Sequence, residues 1–339
     1  MKVFHLSHID LDGYGCQFIT KEIFENIEFL NSNYGSEVLA KVNYILNSLD
    51  KNQKNFILIT DLNLTFEESK YLDEKVKELK KSGFDIELQL LDHHATGIDS
   101  ATNFEWYYLD VTKSASKITY DYFKESQDLK SFEKLIEAIN AVDIWLQNEN
   151  LFEFGKVLTR LIDEAKEINR LMFTKENVLY KHYMLKESIK YLDLDSGHIE
   201  LDDNICKIKK SFFIKDRNDT FDNLFTNYLV SLLQAKKDKL TIHYKDKKGI
   251  LTFGVKNSSI VGNGFLTSNL NFHFFMNVNP GGTFSLRANN LMDVSKMAKT
   301  IANGGGHPNA SGGRIENFKE YFNYNELKSF MEQFLKEKS

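Results

Sequence analysis

The chain has 339 residues, of which 42% are hydrophobic and 27% charged, and its formal net charge is −5. This is the composition of an ordinary globular protein, and the length suits two domains. The acidic balance argues against a broad basic surface for long nucleic acid, because neutralisation of phosphates dominates that kind of binding. Cys16 and Cys206 are the only cysteines, which argues against a disulfide framework or a thiolate metal site.

The chain contains no run of about 18 apolar residues of the kind that crosses a membrane. Its first residues lead into a predicted strand instead of the apolar core of a signal peptide. We therefore expect a cytoplasmic protein without a membrane partner.

Three short apolar segments in the first half of the chain end in side chains that commonly bind metals. Residues 3–6 precede His8, residues 56–59 precede Asp61, and residues 86–91 precede Asp92. Short apolar runs that alternate with helical patterns are typical of buried parallel strands. Ligands of such sheets bind beyond the carboxyl ends of the strands. The three segments should therefore bring their polar side chains to one crevice.

Helical patterns alternate with these strands, and the last of them carries Asp143. They are predicted at residues 14–30, 36–49, 66–81, 114–125 and 131–146. Residues 150–192 continue as helix, and strands follow at 240–244, 250–255, 272–278 and 283–287, with a helix over 293–302. We predict an α/β fold. Its parts are an N-terminal Rossmann-like domain with a parallel sheet (1–149), a helical connector (150–195) and a smaller C-terminal α/β domain (196–339).

The polar side chains of the first half form a set with the chemistry of a metal site. The set consists of His8, Asp10, Asp12, Asp61, Asp92, His93, His94 and Asp143. Five aspartates cannot share one crevice as bare anions, because repulsion and desolvation would raise their pKa values until some were neutral. Carboxylates with a few imidazoles and no thiolate favour Mn²⁺, with Mg²⁺ as an alternative. These ligand types also leave zinc and iron(II) open.

Glycine is concentrated near the C-terminus, where seven of the eighteen glycines fall between Gly281 and Gly313. Gly304, Gly305 and Gly306 stand directly before His307. Without side chains, such residues let backbone amides approach a phosphate, and they equally permit tight turns.

Taken together, these motifs resemble the DHH phosphoesterase superfamily, in the subgroup with a C-terminal DHHA1 domain. The resemblance spans nearly the whole chain and is strongest to the nano-RNase branch, which hydrolyses short oligonucleotides. It rests on His8-x-Asp10-x-Asp12-Gly13, Asp61, Asp92-His93-His94, Asp143 and the segment from Gly304 to Gly313, preceded by Ser285-Leu286-Arg287.

The resemblance implies a role for each site residue. His8, Asp10 and Asp61 would hold one metal, and Asp12, Asp61, His93 and Asp143 would hold a second, with Asp61 as the bridge. His94 would face the substrate phosphate as the second catalytic residue beside Asp61, and Asp92 would support the metal shell. The substrate-binding residues would be Arg287, Gly304, Gly305, Gly306 and His307.

The implied activity is that of a metal-dependent phosphodiesterase, in which two metals activate a water molecule. Its substrates would be di- to pentanucleotides and linear dinucleotides such as pGpG, cleaved to 5′-mononucleotides. The resemblance also suggests a homodimer. The sequence leaves open a phosphatase of 3′-phosphoadenosine 5′-phosphate (pAp) and a cyclic-dinucleotide phosphodiesterase. A non-catalytic nucleotide sensor is less favoured, because no ligand position is lost.

Overall fold

The computed structural model of the protein describes residues 1–338. It contains two compact units. The first unit comprises Met1–Ala165 and Val178–Ile208, and the second comprises Lys166–Asn177 and the chain from Lys209 onward. The separate catalytic and substrate-binding roles assigned to residues 1–149 and 196–339 stay a prediction.

The first unit is built on a sheet of five parallel strands. The strands are β1 (Lys2–His8), β2 (Ile27–Ser32), β3 (Asn55–Thr60), β4 (Ile86–Asp92) and β5 (Tyr107–Leu109). Their spatial order is β2-β1-β3-β4-β5, and every neighbouring pair is parallel. The direction of winding reverses between β1 and β3, which is where sheets of this order bind ligands. The predicted α/β class is confirmed.

Helices alternate with these strands along the chain. Those of the first unit are α1 (Leu11–Ile23), α2 (Ser36–Ser48), α3 (Phe66–Lys81), α4 (Ile98–Asn103), α5 (Ala115–Phe123), α6 (Glu133–Asp143) and α7 (Phe152–Glu164). Two more, α8 (Thr174–Ser188) and α9 (Gly197–Phe213), carry the chain from one unit to the other. Short 3₁₀ turns lie at Ala95–Gly97, Lys130–Phe132 and Ile189–Tyr191.

The side chains of β1 show how the sheet is covered on both faces. Phe4 and Leu6 are fully buried in a cluster with apolar residues of α2 and α3. His5 points to the opposite face, because successive strand residues alternate. There its ring nitrogens lie 2.7 Å from Thr20 Oγ1 on α1 and 2.8 Å from Thr60 Oγ1 on β3.

The helix predicted over residues 14–30 is wrong in its second half. Helix α1 ends at Ile23, Phe24 is extended at φ −117° and ψ 118°, and Ile27–Ser32 forms β2. The apolar residues Phe24 and Ile27 continue the helical spacing of α1, but parallel pairing with β1 decides their conformation. Strand β5 is also absent from the sequence prediction. The helix predicted at 66–81 is confirmed at its bounds.

The second unit contains a mixed sheet of six strands. They are β6 (Thr241–Tyr244), β7 (Lys247–Phe253), β8 (Phe274–Val278), β9 (Thr283–Ala288), β10 (Gly305–His307) and β11 (Ala310–Arg314), in the order β10-β11-β9-β8-β7-β6. Only β7 and β8 pair in parallel. The helices are α10 (Phe221–Leu240), α11 (Ser258–Ser268), α12 (Val294–Ala302) and α13 (Tyr324–Glu337). Among residues 1–338, no helix has both the length and the apolar character needed to cross a membrane.

Candidate active site

The carboxyl ends of β1, β3 and β4 bring the predicted metal ligands together in the first unit. Three groups of side chains have donor atoms that all lie within 4.8 Å of one another. The groups are His8, Asp10 and Asp61; Asp12, His93 and Asp143; and Asp61, His93 and His94. The first two groups contain the residues of the two ligand sets that the family resemblance implies, apart from Asp61 in the second set. Metal binding by these residues stays a prediction.

Asp61 lies between these groups and faces both with different oxygens. Its Oδ2 is 3.7 Å from His8 Nδ1, and its Oδ1 is 3.4 Å from His93 Nε2. The residue follows β3 directly and has φ +54°, in the left-handed region that Asp tolerates better than most residues. This backbone turn aims the carboxylate along the crevice.

The spacing of the first motif follows from the start of helix α1. Asp10 is the N-cap residue, and its Oδ1 accepts a hydrogen bond of 3.0 Å from the backbone N–H of Gly13. A Cβ at Gly13 would lie 2.4 Å from the carbonyl oxygen of His8, so the turn requires glycine. Burial opposes the ionisation of Asp10, but hydrogen bonding and the charge of His8 outweigh it and lower the pKa of Asp10 to about 2.

Asp12 is fixed by the beginning of a different helix. Its carboxylate is 1% exposed and accepts backbone N–H groups from Ala115 at 2.7 Å and Ser116 at 2.9 Å, in the first turn of α5. The N-terminus of a helix stabilises a negative charge. Asp143 is the last residue of α6, and its Oδ2 lies 3.5 Å from His93 Nε2.

The electrostatics of this crevice favour bound cations. Burial and the charges of Asp10 and Asp12 raise the pKa of Asp61 well above its usual range, and burial with the same neighbours raises the pKa of Asp143 to about 9. The buried Oδ2 of Asp61 has no hydrogen-bond partner among residues 1–338, and His8 Nδ1 lies 2.8 Å from Asp10 Oδ2. Carboxylate oxygens and imidazole nitrogens are ligands that Mn²⁺ accepts, and Mg²⁺ accepts the oxygens.

His94, a member of the third group, is also part of a hydrogen-bonded chain with Asp92 and Tyr107. Its Nδ1 donates to Asp92 Oδ1 at 2.7 Å, and Tyr107 donates its hydroxyl to Asp92 Oδ2 at 2.8 Å. Burial disfavours the charged imidazole, but the bond and charge of Asp92 outweigh it and raise the pKa of His94. On the far side of the ring, Tyr34 Oη lies 2.9 Å from His94 Nε2.

The sequence analysis did not identify either tyrosine. Tyr34 follows β2, which had been predicted as helix, and Tyr107 opens β5, which had not been predicted at all. Assignment of β2 would have placed Tyr34 just beyond the carboxyl end of that strand, at the edge that carries His94. Assignment of β5 and its register would have placed Tyr107 opposite Leu90 of β4, two residues before Asp92.

The second unit brings Arg287 and His307 into one row of its sheet. Arg287 on β9 pairs with Ala310 on β11, and Ala310 pairs with His307 on β10. Residues that pair directly across strands project on the same face, so Arg287 and His307 share a face with a small side chain between them. Arg287 Nη1 donates to the Leu286 carbonyl at 2.7 Å, and Nη2 donates to Ser259 Oγ.

The three predicted phosphate-binding glycines are in different surroundings. The backbone N–H of Gly304 donates to Ala298 O at 3.0 Å and closes the end of α12. Gly306 has φ +141°, and a Cβ there would lie 2.5 Å from Ala310 O. Gly305 is exposed and open on the side where a Cβ would stand. Contact of these residues with a phosphate stays a prediction.

Comparison with known proteins shows relatives over the full length of the chain. It is 42% identical to a 3′,5′-cyclic-nucleotide phosphodiesterase of Helicobacter pylori (strain ATCC 700392 / 26695), over 98% of both proteins. Oligoribonuclease NrnB of Bacillus subtilis (strain 168) is 26% identical, over 91% of this chain and 72% of that protein. No family model matches the chain.

A solved structure has the same fold. The crystal structure of an uncharacterized protein from Helicobacter pylori G27 superposes with a TM-score of 0.91 at 41% identity, covering 99% of both chains. The names of the two sequence relatives and the fold shared with the solved structure agree with the family resemblance drawn from the motifs. The chain belongs to the DHH/DHHA1 family of phosphoesterases and is a hydrolase of phosphoric ester bonds, specifically a phosphodiesterase.

Proposed function

We propose that the chain is a metal-dependent phosphodiesterase of small nucleotides. It hydrolyses the 3′,5′-phosphodiester bond of short oligonucleotides, including linear dinucleotides such as pGpG, and of 3′,5′-cyclic nucleotides, and releases 5′-mononucleotides. The names of both relatives point to this bond, because one is a 3′,5′-cyclic-nucleotide phosphodiesterase and the other an oligoribonuclease. Cyclic mononucleotides are thereby added to the substrates expected from the sequence.

The observation that carries the proposal is the position of Asp61 between two groups of donors. Its two oxygens face His8 and His93 separately, at 3.7 and 3.4 Å. His8, Asp10 and Asp61 would hold one divalent cation, and Asp12, Asp61, His93 and Asp143 would hold the second. Mn²⁺ is favoured and Mg²⁺ is the alternative. When bound, such cations would lower the pKa of a water molecule and neutralise charge on the phosphoryl group.

His94 is the residue that would contact the substrate phosphate. The buried carboxylate of Asp92 holds its Nδ1, so the ring presents Nε2 on the other side. In the structure that nitrogen already contacts a polar group, the hydroxyl of Tyr34. A proton on Nε2 would donate to a non-bridging phosphate oxygen, where charge develops in the transition state.

Arg287 and His307 would bind a second phosphate, at the terminal nucleotide of the substrate. A guanidinium presents two parallel N–H donors that match two phosphate oxygens. His307 projects on the same face of the sheet, one strand beyond the intervening Ala310. Recognition of a terminal phosphate would favour short substrates, in which chain ends are abundant, over long strands.

The test is product analysis with Mn²⁺ on pGpG, 3′,5′-cyclic AMP, a 5′-phosphorylated 24-mer RNA, pAp and cyclic di-AMP. We expect conversion of pGpG to GMP and of cyclic AMP to AMP, slower attack on the 24-mer, and no product with Asp61→Asn. A preference for pAp would instead indicate a pAp phosphatase, and a preference for cyclic di-AMP would indicate a cyclic-dinucleotide phosphodiesterase. Absence of turnover with every compound would contradict the proposal and favour a sensor. Sedimentation of the same sample tests the predicted homodimer.

A further inference from the structure

Trp145 follows the candidate ligand Asp143 by two residues and is unusual in both exposure and backbone conformation. Trp145 is 61% exposed, and it is the more exposed of the two tryptophans in the chain. Its φ is +60°, in the left-handed region that bulky side chains rarely adopt. A large apolar ring is therefore presented to solvent two residues along the chain from a candidate metal ligand.

The end of helix α6 explains the backbone conformation but not the choice of residue. Leu146 donates its backbone N–H to Ala141 O at 2.7 Å. This hydrogen bond closes a six-residue turn at the end of the helix, in which the fifth residue, Trp145, takes the left-handed conformation. Glycine is the usual residue at that position. Tryptophan adopts this conformation at a steric cost in free energy, and because its ring is mostly exposed, burial of the ring offsets little of that cost. A role outside folding accounts for this combination.

The ring of Trp145 packs against a buried aromatic ring. It meets Phe152 of α7 perpendicularly, with ring centroids 5.1 Å apart, and Phe152 is itself only 6% exposed. This contact restricts the rotation of the indole while most of its surface stays accessible. A pre-oriented aromatic surface binds a flat partner with little loss of side-chain entropy.

We infer that Trp145 is a stacking platform for a nucleobase of the substrate. The inference rests on the proposed function. The Cα atoms of Trp145 and Asp143 lie at most about 7.6 Å apart, because each step along the chain spans about 3.8 Å. A nucleotide separates its base from its phosphate by one ribose, so a phosphate near Asp143 leaves the base within reach of the indole. Stacking accepts every base, which makes the site selective for nucleotides without selecting a sequence.

The first test measures binding without turnover. In a Trp106→Phe variant, Trp145 is the sole tryptophan, and its fluorescence reports contact with a base directly. Titration with AMP in the presence of Mn²⁺ should quench the emission, whereas ribose 5-phosphate, which has the phosphate but no base, should not. Equal effects of the two compounds, or no effect of either, would overturn the inference.

The second test separates stacking from a structural role. Trp145→Gly removes the ring and suits the left-handed position, so the melting temperature should equal or exceed that of the wild type. KM for pGpG should rise about tenfold with a smaller change in kcat, since base stacking contributes affinity of that order. Trp145→Phe should restore most of the affinity. Tyr122→Ala, at a residue that is 48% exposed on α5, is the control and should leave KM unchanged.

The outcomes distinguish this inference from the proposed function. Wild-type turnover of pGpG together with an unchanged KM in Trp145→Gly would reject the stacking role and leave the activity standing. A lower melting temperature with an unchanged KM would assign Trp145 to folding, which also rejects it. Absence of wild-type turnover would reject the proposed function, and the AMP titration would then still decide whether the indole binds a base.

Discussion

Asp61 shows how one residue combines conformational and electrostatic strain. Its backbone lies at φ +54° and its carboxylate is 2% exposed among other carboxylates. Asparagine adopts the left-handed region as readily as aspartate and has the same shape. Asp61→Asn therefore removes a charge without altering the turn.

We expect Asp61→Asn to stabilise the metal-free protein and to abolish its metal-dependent function. Loss of a buried carboxylate from a cluster of like charges should raise the melting temperature without metal. Each of the two oxygens faces a different donor group, so replacing one of them by an amide nitrogen should weaken Mn²⁺ binding and turnover at least about a hundredfold. Thermal melts and calorimetric Mn²⁺ titration check this, with the exposed Asp99→Asn of α4 as control. A lower melting temperature with normal Mn²⁺ affinity would contradict the metal role.

The buried carboxylate of Asp92 should orient His94 through a hydrogen bond. It accepts hydrogen bonds from His94 and from Tyr107, and it is 0% exposed. Asp92→Asn should lower kcat about 10- to 100-fold, because residues that orient an active-site group contribute on that order. Mn²⁺ affinity should stay near that of the wild type. Tyr107→Phe, which removes one of the two bonds, should give a smaller loss of kcat, and equal losses in Mn²⁺ affinity and kcat would refute the orienting role.

Elements that are encoded by neighbouring residues could be predicted from the sequence, whereas elements that depend on tertiary contacts could not. Helix α3 has a complete local signal, since Thr65 and Glu68 form a reciprocal capping box before an amphipathic segment. The metal motifs at the strand ends are equally local. The amide partners of Asp12 at residues 115 and 116 lie about a hundred residues away, and no local pattern encodes them. Strand β2 was missed for a related reason, because its pairing with β1 is a tertiary contact.

The hairpin of β10 and β11 should tolerate a side chain at one of two adjacent glycines and not at the other. Gly305 and Gly306 are adjacent, but only Gly306 has φ in the left-handed range, and a Cβ there would meet the backbone of Ala310 at 2.5 Å. Gly306→Ala should therefore destabilise the protein by about 1 to 3 kcal/mol. Gly305→Ala, where a Cβ meets open space, should leave stability nearly unchanged. Urea unfolding of both variants checks the difference, and equal destabilisation would contradict it.

The free energy of unfolding of the whole protein should depend on pH through two histidines that are buried in their neutral form. Burial lowers the pKa of both His5 and His182 to about 3. His5 has two threonine hydroxyls as partners, whereas neither ring nitrogen of His182 has a hydrogen-bond partner among residues 1–338. Phe18 and Phe29 surround His182 through perpendicular contacts at 5.7 and 5.3 Å.

The sign of the pH effect follows from where each state takes up its proton. An unfolded chain protonates histidine near pH 6.5, whereas the folded protein does so only near pH 3. Between these values the unfolded state binds more protons, so the free energy of unfolding falls as pH falls. Each buried histidine contributes up to about 1.4 kcal/mol per pH unit in this window.

His182→Phe should remove one of these two contributions. An apolar ring in the same aromatic surroundings also eliminates two unsatisfied nitrogens, so the variant should be at least as stable as the wild type at pH 7.5. Its advantage should then grow on acidification, by about 1 kcal/mol between pH 6.5, where the unfolded histidine is half protonated, and pH 5.5. Urea unfolding at these three pH values measures both effects, and taking the difference between variant and wild type cancels every other titrating group. An advantage that does not change with pH would mean that His182 is protonated in the folded protein, and the apolar environment described for it would be wrong.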